Sequence, residues 1–298
     1  TGLKEVKKLQ QKERGWDVSI HTGLQFDDNV LLEPSDKSLT QVGESNEDIR
    51  AILYASGDYA WYQEAFWTSG IGLSLYQNNH SHLHQFDTGS YTPHFYLRHK
   101  DQGREARLDY LVQLVLLDQK GYLRRQSFRP TYRYAPRPEF SSDFYYEAQW
   151  KDFKPISELS ANSKRDSVNH AFGTTARLFL NPLLIHAGYL FELENAETSD
   201  WDYKGHRLTV GASRRLPISV LGAINGDYGL KDYSHPHSLS RNGEAREDKT
   251  FNVSLRFSRP ISPSKSLSFY YAFTRNHSNL SVFDYQRQIY SFQWGWRL

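Results

Sequence analysis

The sequence predicts an all-β chain: a transmembrane, antiparallel, up-and-down β-barrel of about 14 strands. Three observations predict it. From Trp16 onward apolar and polar side chains alternate with period two, which in a strand sends them to opposite faces. The alternating segments run about 10 to 15 residues, against roughly 5 to 6 for soluble strands and about 9 to 11 for tilted membrane strands. The connections between them are alternately short and long, the mark of periplasmic turns and extracellular loops.

Composition narrows the field. The chain has 298 residues, 38% of them hydrophobic, with a mean hydropathy of −0.70. No stretch approaches the roughly 20 consecutive apolar residues of a membrane helix. The 20 Tyr, 17 Phe and 7 Trp are too many for a disordered chain, and the long apolar runs of a buried parallel sheet are missing. The 36 bases and 34 acids leave a net charge of +2, which implies no nucleic-acid partner. Cys is absent, so there is no disulfide framework, thiolate metal site or cysteine nucleophile.

Taken in order, residues 1–15 stand apart. Leu3, Val6 and Leu9 share a rough helical stripe among bases, so a short periplasmic helical lead-in ending at Gly15 is expected. Residues 16–298 form the barrel, with segments starting near 16, 48, 66, 87, 104, 122, 140, 167, 183, 203, 218, 249, 265 and 283. In the fifth, Ala106, Leu108, Tyr110, Val112 and Leu114 oppose Arg107, Asp109 and Gln113. In the seventh, Phe144, Tyr146, Ala148 and Trp150 oppose Asp143, Glu147 and Lys151. In the last, Tyr290, Phe292, Trp294, Trp296 and Leu298 share one parity. Turns such as Asp101-Gln102-Gly103 and Asn181-Pro182 follow even-numbered segments. Polar stretches such as 33–47, 152–166 and 232–248 follow odd-numbered ones, and Gln119-Lys120-Gly121 is a tight exception. Lipid satisfies no backbone group, so closure is required, and Trp and Tyr near strand ends suit interfacial belts. The expected location is the bacterial outer membrane, with lipid as the first partner.

The parity opposite the aromatics lines the lumen. Arg125, Arg129 and Arg133 form a row on the sixth segment, beside Arg107 and Asp109 on the fifth and Asp143 and Glu147 on the seventh. One reading is bracing, since barrel interiors are polar whether or not they conduct. The other is a substrate path past the arginines. Fourteen strands tilted near 40° give a backbone radius of roughly 14 Å, narrowed by side chains or by an inward-folding loop, with 33–47 and 232–248 the best placed.

Other chemistry is weakly supported. His80, His82 and His84 stand at period two and are marginal metal candidates. No cofactor is expected. A hydrolase needs a nucleophile with an adjacent base; no such arrangement and no G-x-S-x-G appears, so an enzyme is not expected.

Two strings carry a resemblance. Gln25-Phe26-Asp27-Asp28-Asn29-Val30 closes the first segment. Arg275-Asn276-His277-Ser278-Asn279 followed by Phe283-Asp284-Tyr285-Gln286-Arg287 makes the last hairpin. Together they resemble the C-terminal barrels of outer-membrane proteins linked to periplasmic tetratricopeptide repeats, most nearly the surface lipoprotein assembly modulator (Slam) type. The resemblance implies a translocation pore for a macromolecule, a surface lipoprotein or polysaccharide, with a periplasmic repeat region or envelope proteins as partners. Two alternatives stay open: a passive porin for small polar or anionic solutes, and a structural barrel within a larger envelope complex.

Overall fold

A chain whose polar parity faces inward and whose apolar parity faces outward can close only around a wet interior. The structure, a computed structural model describing residues 15–36, 46–155, 164–240 and 242–298, closes in that way. The helical expectation for 1–15 falls, apart from Gly15, outside the described residues.

Fourteen antiparallel strands follow one another around the barrel, and the first pairs with the last. They are β1 (Trp16–Asp27), β2 (Asp48–Glu64), β3 (Trp67–His80), β4 (Thr88–Asp101), β5 (Arg104–Leu117), β6 (Lys120–Arg137) and β7 (Phe140–Phe153). Then come β8 (Ser167–Leu180), β9 (Leu183–Ala196), β10 (Tyr203–Arg215), β11 (Leu221–Pro236), β12 (Ala245–Ser262), β13 (Lys265–Ser278) and β14 (Tyr285–Arg297). Closure rests on the β1–β14 ladder from Ser19↔Arg297 to Asp27↔Ile289. The strand starts match those read from the sequence within four residues. The largest shift is at β12, which begins at Ala245 because its polar first turn keeps pairing outside the apolar band.

Connections segregate by length. At one end lie 65–66, 102–103, 138–139, 181–182, 216–220 and 263–264; at the other lie 28–47, 81–87, 118–119, 154–166, 197–202, 237–244 and 279–284. The second end is extracellular by the outer-membrane rule. Tight hairpins demand left-handed backbone: Gln102 and Gly103 at one end, and Asp118 and Gln119 at the other, all have positive φ. Pro93 and Pro130 have no N–H to give, and the β4–β5 and β6–β7 ladders each miss rungs there.

The core is inverted relative to a soluble sandwich. Leu24, Ile71, Leu208, Val210 and Phe292 are exposed on the outside, and the apolar belt they belong to runs around the wall. A soluble protein rarely exposes a patch of more than a few hundred Å². Buried positions are instead mostly polar: Asp27, Asn29, Arg50, Asn78, Asn169, Glu194 and Asp248 among them. Burial inward and apolarity outward is the arrangement a bilayer imposes. The chain is a membrane-spanning β-barrel of the outer-membrane kind.

Candidate functional site in the lumen

Register fixes which side chains meet inside. Arg107 and Asp109 on β5, Arg125, Arg129 and Arg133 on β6, and Asp143 and Glu147 on β7 all carry the inward parity. They do not form one strip, because those that are paired take different partners and Arg125 takes none among the described residues. Arg107 forks onto Asp109 of its own strand, Nε and Nη2 lying 2.7–2.9 Å from the carboxylate. Asp109 is therefore not the partner of Arg129, which faces it across the ladder. Arg133 and Arg177 share Asp143, at 2.7 and 2.6 Å. Glu147 accepts a hydrogen bond from Ser127 Oγ. Arg129 lies over the Tyr145 ring, 4.0 Å from its centroid. Arg125 makes no ion pair with a described residue.

Similar sorting holds elsewhere in the lumen. Arg50 and Arg287 both pair with Asp27, and Arg246 pairs with Asp248 at 2.6 Å. Lys151 reaches Glu194 at 2.7 Å, where Ser167 and Asn169 also donate. Arg207 has no described ion-pair partner, and Arg256 packs on the Tyr270 ring at 5.0 Å. Among the described residues, then, Arg125, Arg129, Arg207 and Arg256 face the lumen without a carboxylate.

Two of these arginines border one patch. Thr131, Tyr145, Gly173, Leu190, Arg207 and Gly229 make a single row across β6–β11. One step toward the extracellular end, Arg129 stands opposite Glu147, between the Phe128↔Ala148 and Thr131↔Tyr145 rungs. That row continues through Ala171, Glu192, Gly205 and Lys231. The small residues are required. A Cβ on Gly173 would lie 2.1 Å from Tyr145 Cζ, and one on Gly205 would lie 2.6 Å from Glu192 Cγ. Tyr145 therefore lies along the wall over β8. Arg129 stacks on its ring, and Glu147, Arg207 and Glu192 stand in the same or the adjoining row. Parity marks these as inward charges, and the sequence signal for the phenol lying along the wall is Gly173, which faces Tyr145 across the β7–β8 ladder.

The lumen is not uniform along its length. At the extracellular half Asp27 is fully buried and Asn78, His80, Asn169, Glu194, Asp248 and Asn276 are nearly so. At the periplasmic half a cavity of about 1000 Å³ opens between Asp17, Asp58, His94, Arg98, Arg107 and Arg297.

The histidine triplet does not converge. His80 is buried against Arg50 and Asp87, exposed His82 bonds Asp48, and His84 reaches Asp87 at 3.7 Å. Among the described residues no group of three or more His, Asp or Glu is placed to hold a metal.

No family model matches the chain, and no curated protein matches it. Solved structures do. The outer-membrane expressed OmpT of Vibrio cholerae aligns with a TM-score of 0.55 at 8% identity, covering 95% of this chain and 97% of that one. The anion-selective porin from Comamonas acidovorans aligns at 0.53 and 9%, covering 95% and 98%. OccAB3 of Acinetobacter baumannii aligns at 0.50 and 7%, covering 95% and 99%. At such identities the likeness is one of fold, and it spans the whole barrel: this chain has the architecture of outer-membrane β-barrels, with no support for the Slam type in particular.

Proposed function

We propose that the protein is a passive outer-membrane channel for small polar solutes, with a preference for anions. The observation that carries the reading is the set of lumen arginines without an ion-pair partner among the described residues. Arginine stays charged at any working pH, and a charge left unpaired in a low-dielectric interior is expensive. Water in the lumen must solvate Arg125, Arg129, Arg207 and Arg256, and a hydrated cationic wall concentrates anions. The porin of Comamonas acidovorans, described as anion-selective, shares the fold.

Macromolecule translocation is the second reading, and it rests on the Slam-type resemblance of the two terminal strings. The tight packing of the extracellular half weighs against it, since a folded protein or polymer would have to displace that network.

Reconstitution into planar bilayers tests the proposal. Under a KCl gradient the reversal potential should report anion preference. Replacing Arg125, Arg129, Arg207 and Arg256 together with Gln should move it toward cations. A folded, heat-modifiable barrel that passes no ions would leave a structural role in an envelope complex.

A further inference from the structure

We infer that the wall patch centred on Tyr145 binds a small zwitterion bearing one carboxylate and one ammonium group. The inference rests on the channel reading and names the solute class. An anion channel needs only cations. This patch holds both signs in loosely satisfied form, around one phenol.

The cations are Arg129 and Arg207. Neither has an ion pair among the described residues. Arg129 is steadied only by the Tyr145 face, and Arg207 lies along Gly229, with Nε 3.9 Å from where a Cβ would stand. The anions are Glu147 and Glu192. Glu147 has a hydroxyl, Ser127 Oγ, as its hydrogen-bond donor. Glu192 has Lys231 at 3.9 Å, well beyond a charged hydrogen bond of about 2.7–2.9 Å. By contrast, Asp27, Asp143, Glu194 and Asp248 are each held by cations at shorter range. The lumen can therefore satisfy its carboxylates tightly, and at this patch it does not.

Placement fits a ligand that spans the two signs. Ala171 lies between Glu147 and Glu192 in one row and is buried, and Tyr145 covers Gly173 beside it, so the two carboxylates stand on either side of the small β8 residues next to the phenol. Neighbouring strands stand about 4.8 Å apart, so the two carboxylates, two strands apart, flank a space on the scale of a few bonded atoms. A carboxylate placed toward Arg207 or Arg129 leaves an ammonium on the same small molecule within reach of Glu192 or Glu147. A simple anion would gain one half of this and meet like charge in the other. A simple cation would do the reverse.

The experiment uses the full chain in planar bilayers, with γ-aminobutyrate as the zwitterion and acetate and ethylammonium as its two halves. A zwitterion carries no net current, so its binding appears as saturable block of the KCl conductance. Block by γ-aminobutyrate should saturate at concentrations where acetate and ethylammonium block weakly. Arg207→Gln and Glu192→Gln should each raise the half-blocking concentration about tenfold, the scale of one charged hydrogen bond. Val210→Leu, on the lipid face of the same strand, should leave it unchanged. Equal block by acetate with no effect of Glu192→Gln would overturn the inference and leave an anion site, with the channel reading intact. Anion-selective conductance with no saturable block by any of the three would overturn it as well. Absence of conductance in a heat-modifiable barrel would instead remove the channel reading itself. Should Glu192→Gln fail to assemble, Glu147→Gln answers the same question from the other carboxylate.

Discussion

The two halves of the lumen are built from the same side chains and come to opposite states. In the extracellular half Asp27 is fully buried under Arg50 and Arg287; Gln25 accepts from Arg50 Nε at 2.7 Å, and His80 sits 3.3 Å from its Nη1. In the periplasmic half Asp58, on the same strand as Arg50, is 46% exposed and, among the described residues, pairs with His94 alone, at 2.8 Å. The difference lies in what covers them. Short turns join the strands at the periplasmic end, while the longer extracellular connections carry 3₁₀ turns at His84–Phe86, Ser199–Trp201 and Ser281–Phe283, and Trp201 and Phe283 there enclose a buried His237. A carboxylate under such cover must be paired, and one facing bulk water need not be. The lumen is thus a funnel, packed by an ionic lattice toward the outside and more exposed inside, with the Tyr145 patch at the transition.

Whether the packed half truly faces the cell exterior is an all-or-none matter, and so the sharpest way to break the comparison. The chain has no Cys, so single substitutions are readable. An impermeant maleimide on intact cells should label Leu239→Cys, exposed in the 237–244 connection, and miss Arg137→Cys at the opposite end of β6. The reverse pattern would exchange the two ends of the funnel.

Next in size is the energetic contrast. Asp27→Asn removes the countercharge of the buried Arg50 guanidinium and of the half-buried Arg287. Breaking such a pair costs about 3–5 kcal/mol, and denaturant unfolding in detergent should lose that much. Asp58→Asn, half exposed, should lose under about 1 kcal/mol. Equal losses would mean that water reaches Asp27 as freely as Asp58 and that the two halves are packed alike.

Sequence alone carries the frame of this comparison. Strand number, parity and the two classes of connection follow from period two, because lipid and lumen each accept one kind of side chain. The pairing inside does not follow. Arg107 takes Asp109 two residues along its own strand, leaving Arg129 to Tyr145, and parity cannot choose between these outcomes. Nor can it show that Tyr145 lies down over Gly173, which depends on a register set by the β7–β8 ladder. The covered rim was least legible of all, since Trp201, His237 and Phe283 lie far apart in sequence and meet only when the loops fold.

That rim supplies the smallest expected effect. His237 is buried between Trp201 and Phe283, edge-on to both at 6.2 and 5.1 Å between ring centroids. Its Nδ1 accepts from Leu239 N–H at 3.1 Å, so the neutral ring carries its proton on Nε2. Burial pushes its pKa below the ordinary value, with Arg246 acting in the same direction and Asp200 and Asp248 against it. Asp200, half-buried, is held below the usual carboxylate range by Ser238 Oγ–H and N–H and by His237, so it stays ionised while His237 titrates. The closed rim binds fewer protons than an opened one from its lowered pKa up to about 6.5. Closure is therefore at full strength above about pH 6.5 and weakens as pH falls, by at most about 1.4 kcal/mol per unit. Protonation also sets a second donor against Leu239 N–H. Hydrogen exchange at the Leu239 amide, corrected for intrinsic rate, should lose protection between pH 7 and pH 5.5. In His237→Gln, which can still accept from that N–H but does not titrate, protection should hold steady. An equal loss in the Gln variant would place the pH response elsewhere and leave the imidazole as packing alone.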